Sequence, residues 1–582
     1  MDIFCRAFLR VPFEVFFLTF FLFNSQLLFA QNFESVGKEN PLTITGGASL
    51  NQIFYAVDGI ESRRNPYSYY ASGNVNFNLY GWSIPLSFTW SNQQGSFQQP
   101  FNQFGIHPTY KWITGHFGYA SMTFSPYTLA GHLFLGAGIE ARPGKWHIST
   151  MYGRLQRAVE PDSLNESSVT PAFKRMGYGV KAGYADGNDF VHFIIFGSRD
   201  DASSINYIPD NEEIYPEENL VFSVAGGKEL FSRIVLSTEY AISGITRDTR
   251  AETVKVEKYK VFNAAGGLFT PRLSSSYYNA FKTGLTYQAD AFSVGLGYER
   301  IDPGYRTHGA YYFNNDLENL TANAATALFS GKVNIAVNVG VQRDNLDDSK
   351  ISSMERIVGA VNVGYAASER LNFSGSYSSF QTYTNIRSQF VDINQLTPYD
   401  NLDTLNYIQI SQNATLNTNY ILSNNKDRRQ NLNLNLIFQD ASDEQGGVKQ
   451  GSGNQFYMAN TAYSITLVPK NITVTGSFNY NKNEAATINA TTLGPTLAIN
   501  KSLMDRKMRI GLSTSWNESY TNGDKVSRVA NVRVNGGYSI KKKHNFNVSL
   551  VGVNRENKTE GSTDSFAEFT GTVGYSYSFS SK

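Results

Sequence analysis

The chain has 582 residues, of which 17% are charged and 14% aromatic, with 41 Phe, 35 Tyr and 49 Gly. A soluble domain carries roughly 25% charged residues, and a mean hydropathy of −0.31 excludes a helical membrane protein. The net charge of +1 leaves nucleic-acid binding without electrostatic support. Few charges, many aromatics and many small polar residues suit a wall with one face in lipid and the other in water.

Residues 1–30 read as an address. Arg6 and Arg10 precede a Phe- and Leu-rich stretch from Val11 to Phe23, and Leu27-Leu28-Phe29-Ala30 ends it. That order is a secretory signal peptide, with the mature chain starting at Gln31. Its apolar core is too short, and too interrupted by Glu14, to span a membrane as a helix. Cys5 is the single cysteine. It falls in the leader, so neither disulfides nor thiolate chemistry are expected of the mature chain. Residues 31–41 read as a short periplasmic segment and 42–582 as one β-barrel.

Beyond the leader, hydrophobicity alternates with period two. Val333, Ile335, Val337, Val339 and Val341 alternate with Asn334, Ala336, Asn338, Gly340 and Gln342. Leu432, Leu434, Leu436 and Phe438 alternate mostly with Asn, and Ile472, Val474, Phe478 and Tyr480 oppose Thr473, Thr475, Ser477 and Asn479. Successive strand residues point to opposite faces. An apolar face backed by small polar groups fits the lipid and lumen sides of a barrel. The runs recur roughly every 21 residues, which predicts an all-β, closed antiparallel transmembrane barrel of about 26 strands (22–26). Tight connections at Gly81-Trp82, Arg142–Lys145, Gly187-Asn188, Gly331-Lys332 and Lys541–Lys543 alternate with long ones at 202–218, 248–277, 385–404 and 441–454. Short turns belong on the periplasmic side and long loops outside. Trp82, Trp112 and Trp146 flank short turns, where an aromatic girdle sits.

The Ala30-Gln31 junction, the Asn- and Tyr-rich hairpins and the aromatic end resemble the outer-membrane β-barrel proteins of the Bacteroidota. The last run carries Phe569, Val573, Tyr575, Tyr577 and Phe579 on one face. Its Tyr575, Tyr577 and Phe579 resemble the assembly signal of such barrels, although Ser580-Ser581-Lys582 follow. The resemblance implies a place in the cell outer membrane and no particular activity. The chain departs from TonB-dependent transporters, whose barrel follows a long plug domain, because the first strand begins near Leu42. It departs from the lipopolysaccharide exporter, which adds a jelly-roll and disulfides.

There is no HExxH, GxSxG, P-loop or EF-hand pattern, so neither enzyme activity, cofactor nor metal is expected. Phe101–Val159 holds His107, His116, His132 and His147. A type II turn centred on Pro143-Gly144 sets Glu140 opposite His147. His132 and Glu140 then point inward. His132, Glu140 and His147 form a lumenal candidate cluster, either a gate or a wall-stabilising group. Pro108 cannot donate a ladder hydrogen bond, which predicts either a bulge within the wall, the favoured reading, or residues 96–110 folded into the lumen. Asp210, Glu212, Glu213, Glu217 and Glu218 cluster in the loop 202–218, as a divalent cation or a cation bridge to lipopolysaccharide would want, or as a solvated surface. Thr253–Val261, with Lys255, Lys258 and Lys260, is expected to extend a hairpin whose lysines meet lipid phosphates. Asp162-Ser163-Leu164 and Asp403-Thr404-Leu405 resemble the O-glycosylation acceptors of the same bacteria.

A barrel wider than the roughly 16–18 strands of a water-filled porin cannot stand empty. The loops 202–218, 248–277 and 385–404 are expected to fold inward, leaving a channel for polar solutes or other cargo. The alternative is a non-enzymatic subunit of an outer-membrane secretion, assembly or surface-attachment complex, partnered by a lipoprotein or a second barrel protein. Outer-membrane lipid and lipopolysaccharide are the other expected partners, and nucleic acid is not one.

Overall fold

A strand satisfies its backbone only when both edges are paired, so a meander of this length must end on a free edge or close on itself. This one closes. The computed structural model describes residues 42–92, 102–161, 171–208, 214–347, 355–379, 412–441, 444–445, 448–449, 454–485, 487–559 and 562–581. One sheet contains 27 strand segments, nearly all joined to their chain neighbours. Gln103–Ile106 and Thr109–Tyr110 are two halves of a single wall strand, interrupted at His107-Pro108. The protein is therefore a closed antiparallel barrel of 26 strands. The break follows from Pro108, which has no N–H to donate. His107 compensates locally, its N–H donating to the Pro85 carbonyl at 2.9 Å.

The first strand, Leu42–Asp58, pairs with the last, Ser562–Ser580, from Thr45 opposite Ser580 to Asp58 opposite Ala567. Tyr575, Tyr577 and Phe579 lie in this closing strand, opposite Leu50, Ala48 and Gly46. On the inner side of the seam, Tyr55 Oη–H donates to Glu568 Oε1 at 2.6 Å.

Cross-strand pairing carries each face unbroken around the barrel. Asn334, Asn362, Asn417, Asn435, Asn460 and Asn479 lie on the inner face. The outer face carries exposed Leu434, Leu436, Val363, Leu296, Val224 and Phe193. A Leu or Phe left in water forfeits about 1.5–3 kcal/mol relative to burial, so this surface requires an apolar solvent. On the strand Met508–Thr521 the apolar band runs through Ile510, Leu512 and Trp516 and stops at Glu518. On Asp524–Ile540 it runs from Ile540 to Val532 and stops at Arg528. That height matches the ~9–11 residues a tilted strand needs to cross a bilayer. Beyond the band these strands continue, joined to each other by the ion pair Lys525–Glu518 and to the strand His544–Thr559 by Arg528–Glu556. Trp82, Trp112 and Trp146 are all exposed at the short-turn rim.

One expected register is corrected. The turn at Arg142–Lys145 is closed by the Trp146 N–H donating to the Pro143 carbonyl at 3.2 Å, and Gly144 takes φ +64°. The central residues are thus Gly144-Lys145, with positive φ at the first. This II′ form matches the right-handed twist of the flanking strands, which a type II turn would splay. Moving the turn by one residue moves the pairing by two. Glu140 faces Ser149 rather than His147, and His147 faces Gly183 of the next strand.

Ser49 and Ser576 are directly opposed at the closing seam. In a Cys5→Ser background, S49C with S576C should cross-link under mild oxidation, whereas S49C with Y577C, on opposite faces, should not. Non-reducing electrophoresis of the folded barrel reads the difference.

Candidate functional site

A polar lining leaves nothing for a loop to pack against, so the inward positions that break the pattern locate the site. Val221, Ala241, Ala280, Ile301 and Leu317 all point inward and all are buried. Tyr127 and Tyr305 pack over them. A second inward patch, Phe134, Met151, Ile194 and Phe196, is covered by Phe124 and Leu129. Two connections of the long-loop rim therefore turn into the lumen: 124–129, and 302–316 between the strands Phe292–Ile301 and Leu317–Leu328.

The two inner segments are tied to each other. The Ala130 N–H donates to the Gly309 carbonyl at 2.8 Å. Thr307 Oγ1 and Tyr305 Oη donate to the Thr128 and Tyr127 carbonyls, each at 2.8 Å. The approach at Gly309 excludes a side chain, since a Cβ there would collide with the Thr128 carbonyl oxygen and lie 2.8 Å from Leu129 Cα.

Segment 302–316 is latched to the wall by charges. Arg175 forks onto Asp200 at 2.7 and 2.8 Å, and its Nη2 also reaches Glu217 at 3.0 Å. Arg306 donates to the two Glu217 oxygens at 3.3 and 3.2 Å. His308, with its side chain 3% exposed, lies between Ser198 and Glu217. Its Nδ1 is 2.8 Å from Ser198 Oγ and its Nε2 is 3.1 Å from Glu217 Oε2. Its backbone N–H donates to Asn219 Oδ1 at 3.1 Å. Burial, then the charge of Arg175, pushes the imidazole down to about 4. A neutral ring satisfies both contacts, accepting from Ser198 and donating to Glu217. Burial works against the Glu217 carboxylate, but His308, Arg306 and Arg175 outweigh it and hold its pKa well below the usual carboxylate range. Two guanidinium groups thus meet two carboxylates around a neutral imidazole.

The residues singled out from sequence do not converge. His132 is buried, and its ring stacks on Tyr311 of the inner segment at 4.0 Å. Glu140 lies 3.4 Å from His116, which meets His107 at 3.1 Å. His147 stacks on His192 at 5.7 Å. The expected cluster is thus three separate contacts on the inner wall. Glu217 and Glu218 point to opposite faces, as strand neighbours must. Glu217 enters the latch, and Glu218 meets Arg199 on the outer face at 2.6 Å. Asp210, Glu212 and Glu213 lie outside the described residues, as do residues 1–41, the loop 385–404 and both O-glycosylation patterns. Among the described residues, no group of three or more His, Cys, Asp or Glu could hold a metal ion. The loop expected inward at 248–277 lies on the outer face. Thr253–Val261 extends no hairpin, making one isolated bridge, Thr253 to Arg272, before a 3₁₀ turn at Lys260–Ala264.

Sequence reasoning missed Arg175, Asp200, Arg306 and His308. It also passed over a usable signal. Phe193-Ile194-Ile195-Phe196 and Leu220-Val221-Phe222 are apolar on both faces, which a strand between lipid and water is not.

No family model and no curated protein sequence matches the chain. Among solved structures it is similar to the ferric enterobactin receptor PfeA in complex with BCV-L6, at 9% identity over 92% of this chain and 81% of that one, with a TM-score of 0.40. It is similar to the FrpB iron transporter of Neisseria meningitidis at 10% identity over 92% and 82%, with a TM-score of 0.37. The outer membrane protein OprD of Pseudomonas aeruginosa matches at 9% identity over 72% and 92%, with a TM-score of 0.31. The neighbours are bacterial outer-membrane β-barrels, and the likeness is one of architecture alone.

The latch makes docking of 302–316 pH-dependent. His308 binds its proton near 6.5 when released but only near 4 when docked. Docking is at full strength above about 6.5 and weakens as pH falls towards 4. Opening should rise by up to about tenfold per pH unit below about 6, read by hydrogen exchange over 303–313, and H308Q should flatten the profile. G309V should undock the segment at every pH.

Proposed function

We propose that the protein is an outer-membrane channel for polar solutes, narrowed by its own segment 302–316. The observation that carries this reading is a polar inner face, interrupted by apolar patches on which inner segments sit, and partly covered by a loop latched through ion pairs. Asn334, Asn362, Asn435, Asn460 and Asn479 offer neutral donors and acceptors along the wall, which suits uncharged solutes and gives little charge selectivity. The apolar outer band supports residence in a bilayer. The leader and the Ala30-Gln31 junction support export and the finer assignment to a Bacteroidota outer membrane. The function involves passage and no chemical step.

The test is conductance of the full chain in planar bilayers, compared with a variant in which 304–312 is replaced by a short Gly-Ser linker. The expected result is a small unitary conductance that rises several-fold in the variant. A correctly folded barrel that never conducts in either form overturns the reading.

A second reading, a non-enzymatic subunit of an outer-membrane complex, is favoured by one feature. The strands from Asn454 onward run 14–19 residues and overshoot the apolar band, carrying the ion pairs Lys482–Glu484, Lys525–Glu518 and Arg528–Glu556 there, as a platform for a lipoprotein or second barrel would. Purification from native membranes in mild detergent should then recover such a partner in stoichiometric amount. A lone barrel removes this reading.

A further inference from the structure

At their long-loop ends the strands Glu218–Leu230 and Ile234–Thr246 are covered on both faces. The inner cover is 302–316. The outer cover is 247–274, and its attachment is apolar. Phe262 and Phe269 are buried against the outward-facing Leu220, Phe222, Ile242, Tyr178 and Tyr277. Polar contacts fix its course: Tyr178 Oη donates to the Leu268 carbonyl at 2.5 Å, and the Thr270 N–H donates to Glu218 at 3.2 Å. Immediately towards the short-turn rim, Val180, Phe193, Val224 and Tyr240 stand bare. The segment therefore lies along the upper edge of the apolar band.

Its free surface has two characters. Lys255, Lys258 and Lys260 are exposed, and among the described residues none makes an ion pair. Beside them, Val261, Leu268 and Leu273 are 44%, 42% and 69% exposed. Of the charged residues in 247–274, six are basic and three acidic, so the segment is net positive. Apolar side chains and lysines without a carboxylate partner, at the rim of an apolar band, are what a segment lying in a membrane interface requires. Such segments bind through buried apolar area together with attraction to anionic headgroups.

We propose that residues 247–274 form a collar that binds anionic lipid of the outer leaflet. Lys255, Lys258 and Lys260 take the headgroup phosphates, and Val261, Leu268 and Leu273 enter the acyl boundary. The proposal rests on the membrane reading above and goes beyond it by naming a ligand class and its residues. A lysine near an anionic surface is worth roughly fivefold in affinity, so the three together amount to about a hundredfold.

The full chain is reconstituted into phosphatidylcholine vesicles with and without lipid A and recovered in mild detergent, and lipid A retained per barrel is measured by mass spectrometry. Wild type should retain lipid A. The variant K255Q/K258Q/K260Q should bind it about a hundredfold more weakly while keeping the heat-modifiable migration of a folded barrel. F262A, which detaches the segment and leaves the lysines, should also lower retention. Equal retention by wild type and the lysine variant overturns the collar, as does displacement of lipid A by inorganic phosphate, which would indicate a free-anion site. Equal lipid A retention with a second protein copy bound at the segment assigns the surface to that copy and also overturns it. Failure of wild type to float with either vesicle overturns the membrane reading itself, an outcome distinct from an inserted barrel that ignores lipid A.

Discussion

The structure depends on backbone pairing in a place where water cannot substitute for it. Each N–H and C=O within the apolar band must find a partner in the sheet, since an unpaired group in hydrocarbon costs several kcal/mol. The 26 strands meet that demand by a meander whose two ends pair with each other. Closure fixes the rest. It makes one face of every strand outward and one inward, and so allows a chain with only 17% charged residues to be stable without a conventional core. What core exists is local. It forms where loops return to the wall, inside at Tyr127 and Tyr305 and outside at Phe262 and Phe269.

Those two returns use different chemistry because they meet different solvents. The inner segment docks on apolar positions but is held in place by Arg175, Asp200, Glu217, Arg306 and His308. Water in the lumen competes with such a latch at its edges, and the buried imidazole makes it answer to protons. The outer segment is held chiefly by aromatic packing of Phe262 and Phe269, with a few hydrogen bonds setting its course, which suits the edge of a lipid phase.

The barrel was legible in the sequence because its cause is local. Ile335 faces outward and Asn334 inward, the neighbouring runs repeat that lipid-and-water alternation, and the recurrence of the runs supplies the strand count. The site was not legible for the opposite reason. Arg175, Asp200 and Glu217 stand at the rim ends of adjacent strands, but His308 reaches them on a loop 91 positions beyond Glu217. No local pattern announces that return. The misplaced register at Gly144 shows how sharp the limit is. Pro143-Gly144 is an ordinary turn dipeptide, yet strand twist selects the frame one residue later, and every cross-strand partner of Glu140 on that side changes with it. The loop 248–277 was expected inward to fill a wide lumen, but Leu220 and Phe222 offer it an apolar outer face, and a sequence does not say which loop covers which face.

The Tyr55–Glu568 bond joins residues 513 positions apart, while nearly all other wall contacts join chain neighbours. Assembly therefore divides into two kinds of event. Hairpins can form one after another with little entropy lost at each, and a single long-range step joins the ends. The entropy of that step grows only with the logarithm of the separation, so it is slow through the search for register rather than through chain length. Until it happens, the half-built sheet carries two unpaired edges, at Leu42–Asp58 and Ser562–Ser580. The interval before closure is when the chain is most open to pairing with the wrong strand, and these two long edges are the ones that most need a guardian.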